Sequence, residues 1–234
     1  MLIKRLKIIP FLTLITAVTT AAQTKDVTHY KLEDVPRFEV GAQFSSITVR
    51  DPSPISGQSN SESHTEAGIG ARFTYNFTGL VAAEAELTFF PHDNDNFNDY
   101  TAGRAVQGLF GVKIGKRFER FGLFGKACPG FIRFSRALSG SQQVTTPTGN
   151  IFMVEFNGRS NFAVDLGGVV EFYPSRRIVT RFDIGDTIIR YKDLKFNITP
   201  VCPINPALPC INQVPLPGHT SNNFQFSAGI GMRF

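Results

Sequence analysis

The chain has 234 residues, with 24 Lys and Arg against 19 Asp and Glu and a formal charge of +5. Charged residues make up 18% and apolar residues 42%, which excludes a disordered or collagen-like chain. With 23 Phe, 21 Gly and no Trp, the composition points to an all-β protein, because aromatic side chains suit strands better than helices.

The chain opens with Lys4, Arg5 and Lys7, an apolar run from Ile8 to Val18, and the small residues Thr20, Ala21 and Ala22. This is the layout of a secretory signal peptide, expected over 1–22 with cleavage near Ala22. A short anchor helix is the alternative, but about 11 apolar residues are too few for a bilayer, which needs about 20. No Cys follows the run, which argues against a lipoprotein. Residues 23–37 read as a short lead. Without the first 22 residues three basic side chains are lost, so the remainder is near neutral and nucleic acid is not a credible partner.

Eight segments then alternate with a period of two, and none is long and apolar enough for a helical span. Phe38, Val40, Ala42 and Phe44 open the series. Ile69, Ala71, Phe73, Tyr75 and Phe77 form the second segment, and Val81, Ala83, Ala85, Leu87 and Phe89 the third. Val106, Gly108, Phe110, Val112 and Ile114 form the fourth. The fifth, about 121–135, is interrupted by Pro129. Phe162, Val164, Leu166, Val170 and Phe172 make the sixth. The seventh begins with Phe182 and Ile184, but Asp186 falls on the apolar parity, so a bulge is expected near Gly185. The eighth alternates without error from Asn223 to Phe234.

Short links around Thr78-Gly79, Glu119-Arg120 and Ser175–Arg177 alternate with long ones at about 51–66, 92–103, 137–159 and 192–221. Long loops all at one end, with strands of about 9–13 residues, describe a transmembrane barrel of antiparallel strands. The polar parity collects Glu39, Glu84, Glu86, Asp165, Glu171 and Asp183 against Arg72, Lys113, Arg117, Lys126, Arg181 and Arg233. In a narrow eight-stranded barrel these would fill the lumen and neutralise one another. Glu84 and Glu86 lie two apart and require cations, for which Lys113 and Lys126 have the right parity, with Arg72 a further candidate. Solvated charges on a soluble barrel are the alternative.

The carboxyl end, Phe226-Ser-Ala-Gly-Ile-Gly-Met-Arg-Phe234, resembles the assembly signal of the small eight-stranded bacterial outer-membrane β-barrels. Residues 38–234 are similar to the transmembrane domain of outer-membrane protein A. The resemblance implies an up-and-down barrel in the outer membrane of a Gram-negative cell, among outer-membrane lipids and lipopolysaccharide. It further implies passage by periplasmic chaperones and insertion by the barrel-assembly machinery, with Phe226, Ile230, Met232 and Phe234 as the signal. A monomer is expected, with no cofactor. Nothing follows the last strand, so the peptidoglycan-binding domain of longer members is expected to be absent. The Trp residues usual in the aromatic girdles are missing as well, leaving Phe and Tyr to serve there.

Candidate chemistry is sparse. His29, His64, His92 and His219 share no strand with a nucleophile, so a catalytic triad has no evident scaffold. His219 with Ser221 is the nearest pair, and a solvated loop pair is the blander reading. His92–Asn96 with Asp99 is rich in oxygen ligands, but no Gly or closing Glu completes a calcium loop, which favours a polar loop tip. Cys202 and Cys210 lie among six prolines and could bridge after export, with two free thiols as the alternative. Cys128 reads as an unpaired interior thiol. Three functions remain: a non-enzymatic barrel for envelope integrity with adhesion or binding through its loops, a narrow channel or hydrophobic-solute conduit, and a lipid A-modifying enzyme.

Overall fold

Period-two alternation gives strands throughout the computed structural model, which describes residues 35–50, 63–94, 101–145, 151–201 and 211–234. The strands are β1 (Phe38–Arg50), β2 (Ser63–Asn76), β3 (Val81–Asn94), β4 (Gly103–Arg117) and β5 (Phe121–Thr145). They continue with β6 (Ile151–Phe172), β7 (Ile178–Arg190), β8 (Leu194–Val201), β9 (Ile211–Leu216) and β10 (Thr220–Arg233). Strands β1–β7 and β10 form a closed eight-stranded antiparallel barrel, in which β5 pairs with β6 and β10 returns to β1. The remaining two make a hairpin that meets β6 where Phe152 pairs with Ile198.

One circuit of the pairings fixes the tilt. From Ile47 it passes through Gln225, Gly185, Gly167, Lys126, Lys113, Ala82 and Asn76. Asn76 N donates to Arg37 O at 2.8 Å, which returns the circuit to the first strand ten residues below Ile47. That stagger tilts every strand and leaves an interior just wide enough for side chains.

Tight turns close one end. Thr78 Oγ1 accepts from the amides of Leu80 and Val81, each at 3.1 Å, between β2 and β3. Ser175 Oγ accepts from Arg177 and Ile178 at 3.3 and 3.2 Å between β6 and β7, so hydroxyls satisfy amides the ladder cannot reach. At the other end much of the expected 137–159 loop belongs to β5 and β6, which run to 25 and 22 residues. The hairpin of β8 and β9 occupies part of the expected 192–221 loop. Pairing these backbones satisfies amides and carbonyls that an irregular excursion would leave to water.

Two local expectations are corrected. No bulge occurs near Gly185: β7 stays in unbroken register with β10 from Ile178↔Met232 to Arg190↔Thr220, and with β6 from Thr180↔Phe172 to Arg190↔Phe162. Two intact ladders hold β7 from both sides. A Cβ at Gly185 would lie 2.6 Å from Leu166 O, so this glycine serves close strand approach. Asp186 therefore remains on the outward face between Leu166 and Phe224. Pro129 does not interrupt β5 either. It pairs with Val164 of β6, while on the β4 side the register skips from Leu109↔Gly130 to Val112↔Ala127, where the missing N–H has no ladder bond to lose.

The polarity is inverted relative to a soluble barrel. Phe110 and Phe234 are each 66% exposed and Ile69 65%, and they belong to an outward belt of Phe, Ile, Leu and Val. The inward face holds the charges, several of them under 2% exposed. Since every barrel strand is paired on both edges, unfolding must open the whole ladder together. The folded protein is expected to resist SDS at room temperature and to shift in mobility on boiling. Identical mobility before and after boiling, in membrane-extracted material, contradicts the closed ladder.

Candidate functional site

The barrel interior is where the polar parity of all eight strands converges. It is stacked in three tiers between the turn end and the loop end.

The tier nearest the turns is ionic, and Arg181 on β7 stands at its centre. Its guanidinium donates to Glu84 through two nitrogens, Nη2 at 2.9 Å, and to Asp183 Oδ1 through Nε at 2.7 Å. Glu86 lies 3.6 Å away and Glu171 3.8 Å. Lys113 sits between Glu84, at 3.2 Å, and Glu171, to which it donates. Lys126 is closer to Asp165, at 2.6 Å, than to Glu86, at 3.8 Å. Arg72 donates to Asp183 at 3.0 Å and lies 3.8 Å from Glu86. Below them Glu39 accepts from Arg233 at 3.2 Å and Arg117 at 3.4 Å. Every carboxylate in this tier has a cation within 4 Å. A planar guanidinium can bridge several carboxylates at once, which an ammonium cannot do with fixed geometry. At the lower rim the Tyr173 hydroxyl donates to Glu171 at 2.8 Å. Burial and that carboxylate push the phenol well above its usual pKa.

The middle tier is neutral and polar. Gln107 and Gln225 exchange amide hydrogen bonds at 3.0 and 3.2 Å, Thr187 donates to Gln225 at 2.6 Å, and Ser45 meets Ser227 at 2.8 Å.

The tier nearest the loops carries an apolar cluster on the inward parity, with Glu66 and Asn161 buried beside it. Ile47, Val49, Phe90, Ala105, Ile132, Phe134, Ala163, Ile189 and Tyr191 form one buried cluster. The sequence reading missed this plug, but a signal was present. In Ser46–Arg50 the apolar residues Ile47 and Val49 are out of phase with Phe44, and Ile132 and Phe134 reverse phase in the same way on β5. A cavity of about 10 Å³ beside Glu39, Arg72, Thr74 and Arg181 has room for roughly one water.

Two of the histidines meet at Glu66. His92 lies on β3, where Nδ1 is 3.1 Å from Glu66, and His64 lies 3.7 Å from the same carboxylate. His219 stacks on Tyr191 at 4.6 Å, while Ser221 is bonded to Asn223. His29, Asp99, Cys202 and Cys210 lie outside the described residues. Cys128 is a buried free thiol. Among the described residues no cluster of His, Cys, Asp and Glu suits a metal. Phe226, Ile230, Met232 and Phe234 all face outward on or beside β10 and are exposed. The Phe234 amide donates to Phe38 O at 2.9 Å at the seam where the chain's last strand meets its first.

No family model matches the chain, and no curated protein matches it. Among solved structures it aligns with Ail, the attachment invasion locus protein of Yersinia pestis, at 10% identity and TM-score 0.47, over 86% of this chain and 99% of that one. Neisserial surface protein A aligns at 11% identity and TM-score 0.48, over 84% of this chain and 97% of that one. The N-terminal β-barrel domain of Pseudomonas aeruginosa OprF aligns at 6% identity and TM-score 0.46, over 86% of this chain and all of that one.

Replacing Arg181 with Met would leave Glu84 and Asp183 buried beside a lost partner and is expected to cost about 3–5 kcal/mol. Urea unfolding in lipid vesicles measures this, and adding Glu84→Gln should recover part of the loss. A second expectation concerns pH. Burial, then the nearby Arg190 charge, holds His219 below its usual pKa, so the neutral ring is the folded form. The unfolded chain takes up this proton first. The stability due to His219 is therefore complete above the usual histidine range and is lost as pH falls through the depressed value. His219→Gln should flatten that part of the stability profile.

Proposed function

We propose that this small eight-stranded outer-membrane β-barrel is a non-enzymatic envelope protein, whose binding or adhesive surface lies in the strands and loops beyond the membrane. The observation that carries this reading is the packed interior. Among the described residues, three stacked tiers ending in an apolar cluster fill the interior, and the cavity beside Glu39 and Arg181 has room for about one water. What remains for recognition is the outside. There β5 and β6, at 25 and 22 residues, rise well past neighbours of 13 to 15. A rigid ionic tier suits an anchor, because it ties strands far apart in sequence into one unit.

The inward charges and outward belt support residence in a hydrocarbon layer, with the turns on the periplasmic side and the long connections outside the cell. Chaperones of the periplasm and the barrel-assembly machinery are its partners in biogenesis, and outer-membrane lipids its surroundings. The alternate apolar positions ending at Phe234 serve as the assembly signal.

Two measurements test the reading. Protein reconstituted in planar bilayers should show no discrete conductance steps, and regular openings would favour the channel instead. Phe234→Ser should lower outer-membrane abundance severalfold while leaving refolding in detergent nearly intact. Normal accumulation of that variant would remove the assembly role.

A further inference from the structure

On the outward face the apolar belt stops at arginines. Along β4, Ile114, Val112, Phe110, Gly108 and Val106 lead up to Arg104; along β5, Phe131 leads to Arg133. Arg50 and Arg190 close the outward rows of β1 and β7. All four are exposed, and among the described residues none forms an ion pair, whereas the ionic tier inside is paired throughout. Cations left without a carboxylate at the edge of a hydrocarbon belt call for anions from outside the protein.

Arg104 and Arg133 are the pair best built to share one. Val106 pairs with Arg133 and Ala105 with Phe134, so the two arginines are diagonal neighbours on one face. Arg133 Nη1 donates to Ser160 Oγ at 3.3 Å, and Ser135 Oγ accepts from the Arg104 amide at 2.8 Å. One hydroxyl thus touches the Arg133 guanidinium, and the other holds the backbone from which the Arg104 side chain leaves. Gly158 makes room for the assembly: a Cβ there would lie 2.5 Å from Arg133 Nη2, so a larger residue would push the guanidinium off β6. Just below, on the apolar side, Val106, Phe131 and Phe162 face outward.

We propose that Arg104 and Arg133, with Ser135 and Ser160, bind the phosphate groups of a phosphorylated lipid in the outer leaflet, its acyl chains lying on the Phe131–Phe162 face. The assignment rests on the membrane reading above. Guanidinium groups match phosphate bidentately, and the contact strengthens where the hydrocarbon edge excludes water. Two neighbouring arginines favour a headgroup with two phosphates over one.

The test uses the full chain folded into phosphatidylcholine nanodiscs that contain bisphosphorylated lipid A, its monophosphorylated form, or neither. Lipid retained on the ejected barrel is read by native mass spectrometry. The native chain should retain the bisphosphorylated lipid preferentially, and the R104Q/R133Q variant should lose about tenfold in retained lipid. A control at the turn end, R120Q/R177Q, should match the native chain. Heat-shifted mobility of each variant verifies folding. Equal retention by R104Q/R133Q, or equal loss in the control, overturns the site. So does inorganic phosphate displacing the lipid at comparable concentration, which would make it a site for free anions. A native chain that shows no heat-shifted form in any lipid overturns the membrane reading itself, and this assignment falls with it.

Discussion

Twelve charged side chains share a lower interior that eight strands leave almost no room to hydrate, and the rest of the molecule follows from how they are paired. An ion taken out of water costs several kcal/mol unless opposite charge and hydrogen bonds replace its hydration. Arg181 meets that requirement for Glu84 and Asp183 at once, and Lys113 and Arg72 extend the pairing to Glu171 and Glu86. These bonds join β2, β3, β4, β6 and β7 across the lumen. A slip of one residue in any strand would move its charge to the outward face, so the network and the register specify each other.

The network also bears on function. An interior occupied by paired ions, then by amides and hydroxyls, then by an apolar cluster, is a solid column. Its chemistry is directed at itself. On the proposed reading, recognition falls to surfaces that the column holds in place: the long β5–β6 hairpin and the outward rim. At that rim Arg104 and Arg133 stand on the same strands that supply Lys113 and Lys126 to the interior. The rigidity paid for inside thus positions the groups that face the lipid.

Legibility in the sequence varied with the range of the interaction. The perfect alternation of Asn223–Arg233 was readable because period two is a local property of consecutive residues. The tight turns at Thr78 and Ser175 were readable for the same reason. The bulge expected at Gly185 was not a fair inference from Asp186 alone. Whether a carboxylate is turned inward depends on both neighbouring ladders, and these hold β7 in register. The phase reversals at Ile47 and Val49 on β1 and at Ile132 and Phe134 on β5 were visible in the sequence, but only closure brings these two reversals into one cluster.

The sequence by itself determined the strand period, the parity of each charge and the near balance of opposite signs, since all three depend on residue type and spacing along one chain. Only the tertiary structure decided which charges meet. Glu84 and Arg181 are 97 residues apart, and Lys126 prefers Asp165 to Glu86 by more than an ångström. Those choices depend on the stagger of the closed barrel, which slides each strand by a fixed amount against the next. No single strand records that offset; it exists only once β10 has paired with β1.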